Sequence, residues 1–136
     1  MKYKCKITPE NITELKENEI FCFGSNLCGR HGAGAAYTAF SQFNAKYGIG
    51  IGFTGQCFAL PTKDESLNRL SVLDIKKWVD VLKSEILAMP DNQFLITKIG
   101  CGLAGYSVNE IAPLFKDFLQ IENCSLPIDF INFLTK

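Results

Sequence analysis

Apolar and polar residues follow two different rhythms along this 136-residue chain, and the switches between them lay out its elements. Short apolar runs at residues 20–23, 56–60 and 93–99 have strand length, and unbroken runs of this kind suit strands covered on both faces. The first of these sits in a strand predicted over 19–24. Residues 3–7 alternate with lysines and predict an opening strand at a sheet edge. Thr8 followed by Pro9 reads as a cap with proline at the first helical position, which predicts a short helix to about residue 16. A second helix is predicted over 33–46, with Ala36, Phe40 and Phe43 at core-facing spacing. Glycine alternating with isoleucine over 47–53 predicts a tight connection or an irregular strand. The strongest helical period spans 71–89, where Val72, Ile75, Val79, Leu82, Ile86 and Met89 step by three and four. Ser71 with Asp74 resembles a capping box at its start, Pro90 ends it, and Trp78 is expected to pack. Ser107 with Glu110 predicts a further capped helix to about 119, and the tail offers a short strand and an apolar helical segment at 128–134.

Strands alternating with helices predict a three-layer α/β domain. A chain of this length makes one domain and buries about two-thirds of the surface its unfolded form exposes. Basic and acidic residues balance at 14 each, so no broad nucleic-acid-binding surface is expected, though a local phosphate pocket is compatible with neutrality. The six cysteines form no Cys-x-x-Cys pair and lie in apolar runs or glycine turns, which predicts reduced thiols rather than a disulfide framework. Cys28 and His31 have the spacing of two metal ligands, but no second pair follows, and no metal or cofactor is expected. No apolar run has membrane-spanning length, and the opening residues lack the apolar core of a signal peptide. The expected location is cytoplasmic, with no membrane partner.

Two stretches carry candidate chemistry. The strand at 19–24 runs into Gly24-Ser25-Asn26-Leu27-Cys28-Gly29-Arg30-His31-Gly32-Ala33-Gly34-Ala35, a glycine-rich turn leading into small helix-forming residues. The first amides of such a helix have no intrahelical partner and favour an anion. The pattern is neither a Walker loop nor the forward dinucleotide fingerprint. The strand at 93–99 repeats the arrangement, running into Gly100-Cys101-Gly102-Leu103-Ala104-Gly105-Tyr106. If the two strands are parallel and close, both turns open on one sheet edge and clamp an extended ligand, most simply a diphosphate. Lys63 follows an apolar strand and Pro61-Thr62, at a strand's carboxyl end where open α/β sheets place ligands. His31 is the sole histidine, so it would dominate pH dependence near neutrality if it touched the ligand.

Together these residues resemble the macro domains, the ADP-ribose-binding α/β fold. The nearest likeness is to the branch holding the terminal ADP-ribose protein glycohydrolase and the DNA ADP-ribosyl glycohydrolase antitoxins. Over residues 7–118, Gly32-Ala33-Gly34-Ala35-Ala36 looks like the family's Gly-Ala-Gly-Ile-Ala turn. Leu60-Pro61-Thr62-Lys63 resembles its strand ending in a catalytic lysine, and Ile99-Gly100-Cys101-Gly102-Leu103 matches its second phosphate loop. The resemblance implies a three-layer α/β/α macro-domain-like fold with a mixed, mostly parallel central sheet. It implies that Gly32 to Ala36 hold the diphosphate and pack against the distal ribose, with Ser25 and Asn26 near its hydroxyls. Gly100 to Gly105 would close the other side, Tyr106 would pack on a ribose, and Asn11 would accept from the adenine amino group.

Lys63 would be catalytic, attacking the anomeric carbon of the distal ribose, which requires an unprotonated amine. Desolvation or a neighbouring cation such as Arg30 or His31 would favour that form. The protein-directed member has an aspartate after Gly-Cys-Gly-Leu, whereas this chain has Ala104. The implied partner is ADP-ribose or an ADP-ribosylated base, nucleotide or protein, and the leading expectation is a Lys63-dependent glycohydrolase. Two other classes compete with it: a non-catalytic sensor or sponge of an ADP-ribose-like nucleotide, and an interaction domain whose loops are only turns.

Overall fold

The two longest apolar strands pair with each other at the centre of the molecule. The computed structural model describes residues 3–136. Its strands are β1 (Lys6–Ile7), β2 (Glu19–Asn26), β3 (Gly52–Thr54), β4 (Cys57–Lys63), β5 (Gln93–Ile96) and β6 (Cys124–Leu126). They form one sheet in the order β1-β6-β5-β2-β4-β3, parallel throughout except for β3, which runs antiparallel to β4. The helices are α1 (Gly34–Gln42), α2 (Val72–Ala88), α3 (Val108–Ile111), continued by a 3-10 helix over Ala112–Gln120, and α4 (Ile128–Leu134).

Residues alternate between the two faces of the central strands. Ile20 and Cys22 of β2 join Phe58 and Leu60 of β4 in the larger core, beneath α2, the 3-10 helix and α4. Phe21, Phe23, Cys57 and Ala59 point the other way, into a smaller core completed by Ala36, Ala39 and Phe43 of the α1 segment. Helices therefore cover both faces, which explains why β2 and β4 read as continuous apolar runs. The α2 stripe of Ile75, Val79, Leu82 and Ile86 is fully buried, its Ser71 cap accepts from the Asp74 amide at 3.1 Å, and Trp78 packs half-buried against the same core. Among the described residues no helix is long and apolar enough to cross a membrane.

Several elements depart from the sequence expectation. No helix forms after Thr8: its hydroxyl donates to the Ile96 carbonyl at 2.7 Å and its amide to Leu126 at 2.8 Å, so it ties β1 to the sheet instead of capping. The following segment runs irregularly, with Ile12 and Leu15 against the smaller core. Helix α1 ends at Gln42 because Asn44 takes a left-handed φ of 67° and the Ala39 carbonyl accepts from both Phe43 and Ala45. Phe40, expected at core-facing spacing, lies on the outer side of α1 and is 42% exposed. The opening strand shrinks to Lys6–Ile7 and β5 stops at Ile96, while β2 runs on to Asn26 and β4 through Pro61 to Lys63. Pro61 is tolerated there because β3 pairs with β4 only as far as Ala59. The helix opened by Ser107 tightens into 3-10 geometry at Ala112–Gln120, where Pro113 lacks an amide hydrogen to donate.

Candidate functional site

Because β4, β2 and β5 are parallel neighbours, their carboxyl ends share one edge of the sheet. Three connections leave that edge: residues 27–33 into α1, 64–71 into α2 and 97–107 into α3. Between them lies a cavity of about 540 Å³. Gly24, Ser25, Asn26, Arg30, Gly32, Ala33 and Ala35 line it from the first glycine loop, and Thr62 and Lys63 from the end of β4. Gly100, Cys101, Gly102, Leu103 and Ala104 line it from the second. Lys63 is thus half-buried in the cleft between the glycine loops, and forms no ion pair among the described residues.

The first loop is braced by its own side chains. The Asn26 carboxamide accepts from the Arg30 amide at 2.8 Å and donates to the Arg30 carbonyl at 2.9 Å, closing the turn on itself. Ser25 is buried, and its hydroxyl donates to the Gly50 carbonyl at 2.5 Å, so both side chains assigned to ribose hydroxyls are engaged within the protein. His31 is 1% exposed and does not line the cavity. Its Nε2 lies 3.0 Å from the carbonyls of Lys46 and Ile49; two carbonyls can only accept, so Nε2 carries the proton. Sandwiched edge-on between Phe23 and Tyr47, the imidazole fastens the 46–49 connection to the glycine loop. Cys28, paired with His31 in the sequence pattern, donates its thiol to Asn26 instead.

The second loop is held at its base. Main-chain bonds join Cys101 to Lys98 at 3.1 Å, Gly105 to Gly102 at 3.0 Å and Tyr106 to Gly100 at 2.9 Å. Tyr106 does not line the cavity: its hydroxyl donates to the Leu70 carbonyl at 2.7 Å and the Arg69 guanidinium stacks 4.1 Å above its ring. Gly105, with a φ of 81°, and Gly34 likewise lie outside the lining, Gly34 resting under Leu103. Burial pushes the Cys101 thiol above its ordinary range, which keeps it protonated and a poor nucleophile at neutral pH.

Two features make the cavity suited to an anion. The helices α2 and α3 begin with serine caps, and α3 has a full capping box, but α1 has Ala33 at its N-cap, with no side-chain cap and no acidic residue in its first turn. Its leading amides are therefore left for a ligand or water. The lining also contains Arg30, Lys63 and Lys98 and no carboxylate. Lys98 ion-pairs with Asp129 at 2.5 Å, and that hydrogen bond raises its pKa and keeps it cationic.

Gly32 and Gly102 face the cavity from opposite loops, and a Cβ on either would meet no protein atom within 4 Å. Neither has a left-handed backbone. Backbone angle and packing alike would accept a side chain at both positions; the space beside them is what glycine keeps clear.

A second cavity of about 460 Å³ adjoins the first and shares Ala35, Thr97 and Lys98 with it. Asn11 lines this one, beside Glu10, with Pro9, Ile12, Phe21 and Pro127 as apolar walls. Asn11 and Lys63 thus line neighbouring cavities, with Lys98 bordering both. Sequence reading missed Thr97, Lys98, Tyr47 and Leu67 as lining residues. Lys98 had a signal, standing immediately before the second glycine motif; Tyr47 and Leu67 enter through connections whose course no local pattern sets.

The chain matches no family model, and comparison with curated proteins and with solved structures returns no significant match.

Proposed function

We propose that the paired cavities bind ADP-ribose or an ADP-ribosyl conjugate and that Lys63 hydrolyses the ADP-ribosyl link. The observation that carries this reading is the pair Gly32 and Gly102, glycines that the fold itself does not require, opposed across the cavity that holds Lys63. The uncapped amides of α1, with Arg30 and Lys98, suit a diphosphate between the loops. The apolar walls and amide around Asn11 suit a base. In this reading the distal ribose lies beside Lys63.

In the proposed reaction the neutral Lys63 amine attacks the anomeric carbon. The bond to the linked group breaks, its electron pair leaves with that group, and the group takes up a proton. Water then hydrolyses the lysine adduct, releasing ADP-ribose and restoring the amine.

The test is release of ADP-ribose from a modified nucleic acid or protein. Lys63→Ala is expected to abolish release while ADP-ribose binding survives, and full release by the variant would end the catalytic part of the proposal. A second reading, a non-catalytic binder, is favoured by Ala104 and by the absence of any carboxylate in the lining to assist the lysine. It predicts that the conjugate is recovered unchanged after denaturation of the complex.

A further inference from the structure

The connection from β4 to α2 turns on one acidic side chain. The Asp64 carboxylate accepts from the amides of Ser66 at 2.9 Å and Asn68 at 3.0 Å. Main-chain bonds from Asp64 to Asn68, at 2.7 Å, and from Leu67 to Asp64, at 3.1 Å, close the knuckle. At its tip Leu67 has a φ of 66°. The other described non-glycine residue with positive φ is Asn44, a type that tolerates this region, whereas a leucine there is strained between its Cβ and its own carbonyl. The strain is not offset by burial in the protein: Leu67 is 39% exposed and belongs to neither core.

What Leu67 does line is the Lys63 cavity. From the second glycine loop Leu103, 68% exposed, lines the same cavity. Two exposed leucines on separate loops thus border a space otherwise furnished largely with glycine, alanine and polar groups. Strain held at an exposed side chain beside a candidate nucleophile points to a role that the free protein does not reveal.

We propose that Leu67 and Leu103 form an apolar clamp on the sugar at the Lys63 end, gripping its C–H face and shedding water from around the amine. This inference rests on the ADP-ribosyl reading and assigns Leu67 as a residue that recognises the distal ribose. A ligand without that ribose gains nothing from the clamp.

The experiment compares wild type with Leu67→Gly and Leu67→Asn, each measured for melting temperature without ligand and for affinity toward ADP-ribose and ADP. Both variants relieve the left-handed strain, so melting temperatures at or above wild type are expected. Affinity for ADP-ribose should fall about five- to tenfold, from lost apolar contact, while that for ADP stays within about twofold. Unchanged ADP-ribose affinity in both variants, equal losses for the two nucleotides, or a clear drop in melting temperature would overturn the clamp alone. Wild-type protein that binds neither nucleotide would defeat the ADP-ribosyl reading, and the clamp with it.

Discussion

Each glycine loop carries the chain out of a parallel strand and into a helix, but the two are built by different means. The first is locked from within: Asn26 closes the turn, Ser25 and His31 fasten it to the 46–50 connection, and backbones pack against one another without room for a side chain. A Cβ on Gly29 would lie 2.2 Å from the Gly48 carbonyl carbon, and one on Gly50 would lie 1.9 Å from the Asn26 oxygen. The second is held by Tyr106 and by main-chain bonds, at its base and from Gly105 to Gly102 across its tip, where Gly102 and Leu103 are exposed. A loop braced by side-chain bonds presents a preformed surface, and one held mainly by main-chain turns has fewer contacts to break if it shifts. On the proposed reading, the first loop would hold a ligand's position and the second, which lacks side-chain braces of that kind, would close on it.

Glycine-to-alanine changes should separate the loops most sharply. Gly50→Ala forces backbone apart in the braced loop and is expected to cost about 3 kcal/mol or more, read as a large fall in denaturant midpoint. A midpoint near wild type would show that this loop is not rigid. Next in size, Asn26→Ala removes both bonds to Arg30 and should destabilise by about 1–2 kcal/mol while weakening ligand binding as the turn relaxes. In the second loop, Gly102→Ala should leave stability unchanged or raise it by about 0.5 kcal/mol, since its backbone and surroundings accept a Cβ, and still weaken ADP-ribose binding. Loss of stability there would erase the distinction between the loops.

The smallest effect is on pH. Hydrogen bonds from the Ser107 amide and hydroxyl hold the Glu110 pKa below its ordinary value at the exit of the second loop. A depressed carboxylate contributes stability above its unfolded pKa, near 4.3, and loses it as pH falls through the lower folded value. The amide-exchange protection factor around Ser107, referred to the intrinsic exchange rate at each pH, is expected to fall over that acid range in wild type, and Glu110→Gln should flatten the response.

Much of this contrast was legible in the chain. The apolar runs of β2, β4 and β5 marked them as strands, and each candidate motif followed one of them directly. Parallel pairing therefore sufficed to bring Lys63 and both glycine loops to one edge. What escaped reading depends on partners distant in sequence. Thr8 and Pro9 carry a true helix-start signal, but the Thr8 hydroxyl finds the Ile96 carbonyl, 88 residues away, and the helix does not form. The His31 Nε2 and the Tyr106 hydroxyl have the chemistry of ligand-binding groups, and the fold spends them on Lys46, Ile49 and Leu70. The helix expected over 33–46 ran past Asn44, although asparagine tolerates the left-handed turn beyond a helix end. Leu67 was not readable, because its conformation is imposed by the Asp64 carboxylate acting on later amides.

The central claim is that two differently built loops hold one extended ligand between them. Calorimetric titration of ADP-ribose into the wild-type protein, with AMP and ribose 5-phosphate as controls, tests it most directly. One site per chain is expected, with dissociation in the micromolar range, about −8 kcal/mol, and much weaker binding of either fragment. No heat at millimolar ADP-ribose, or fragments that bind as tightly as the whole, would contradict it.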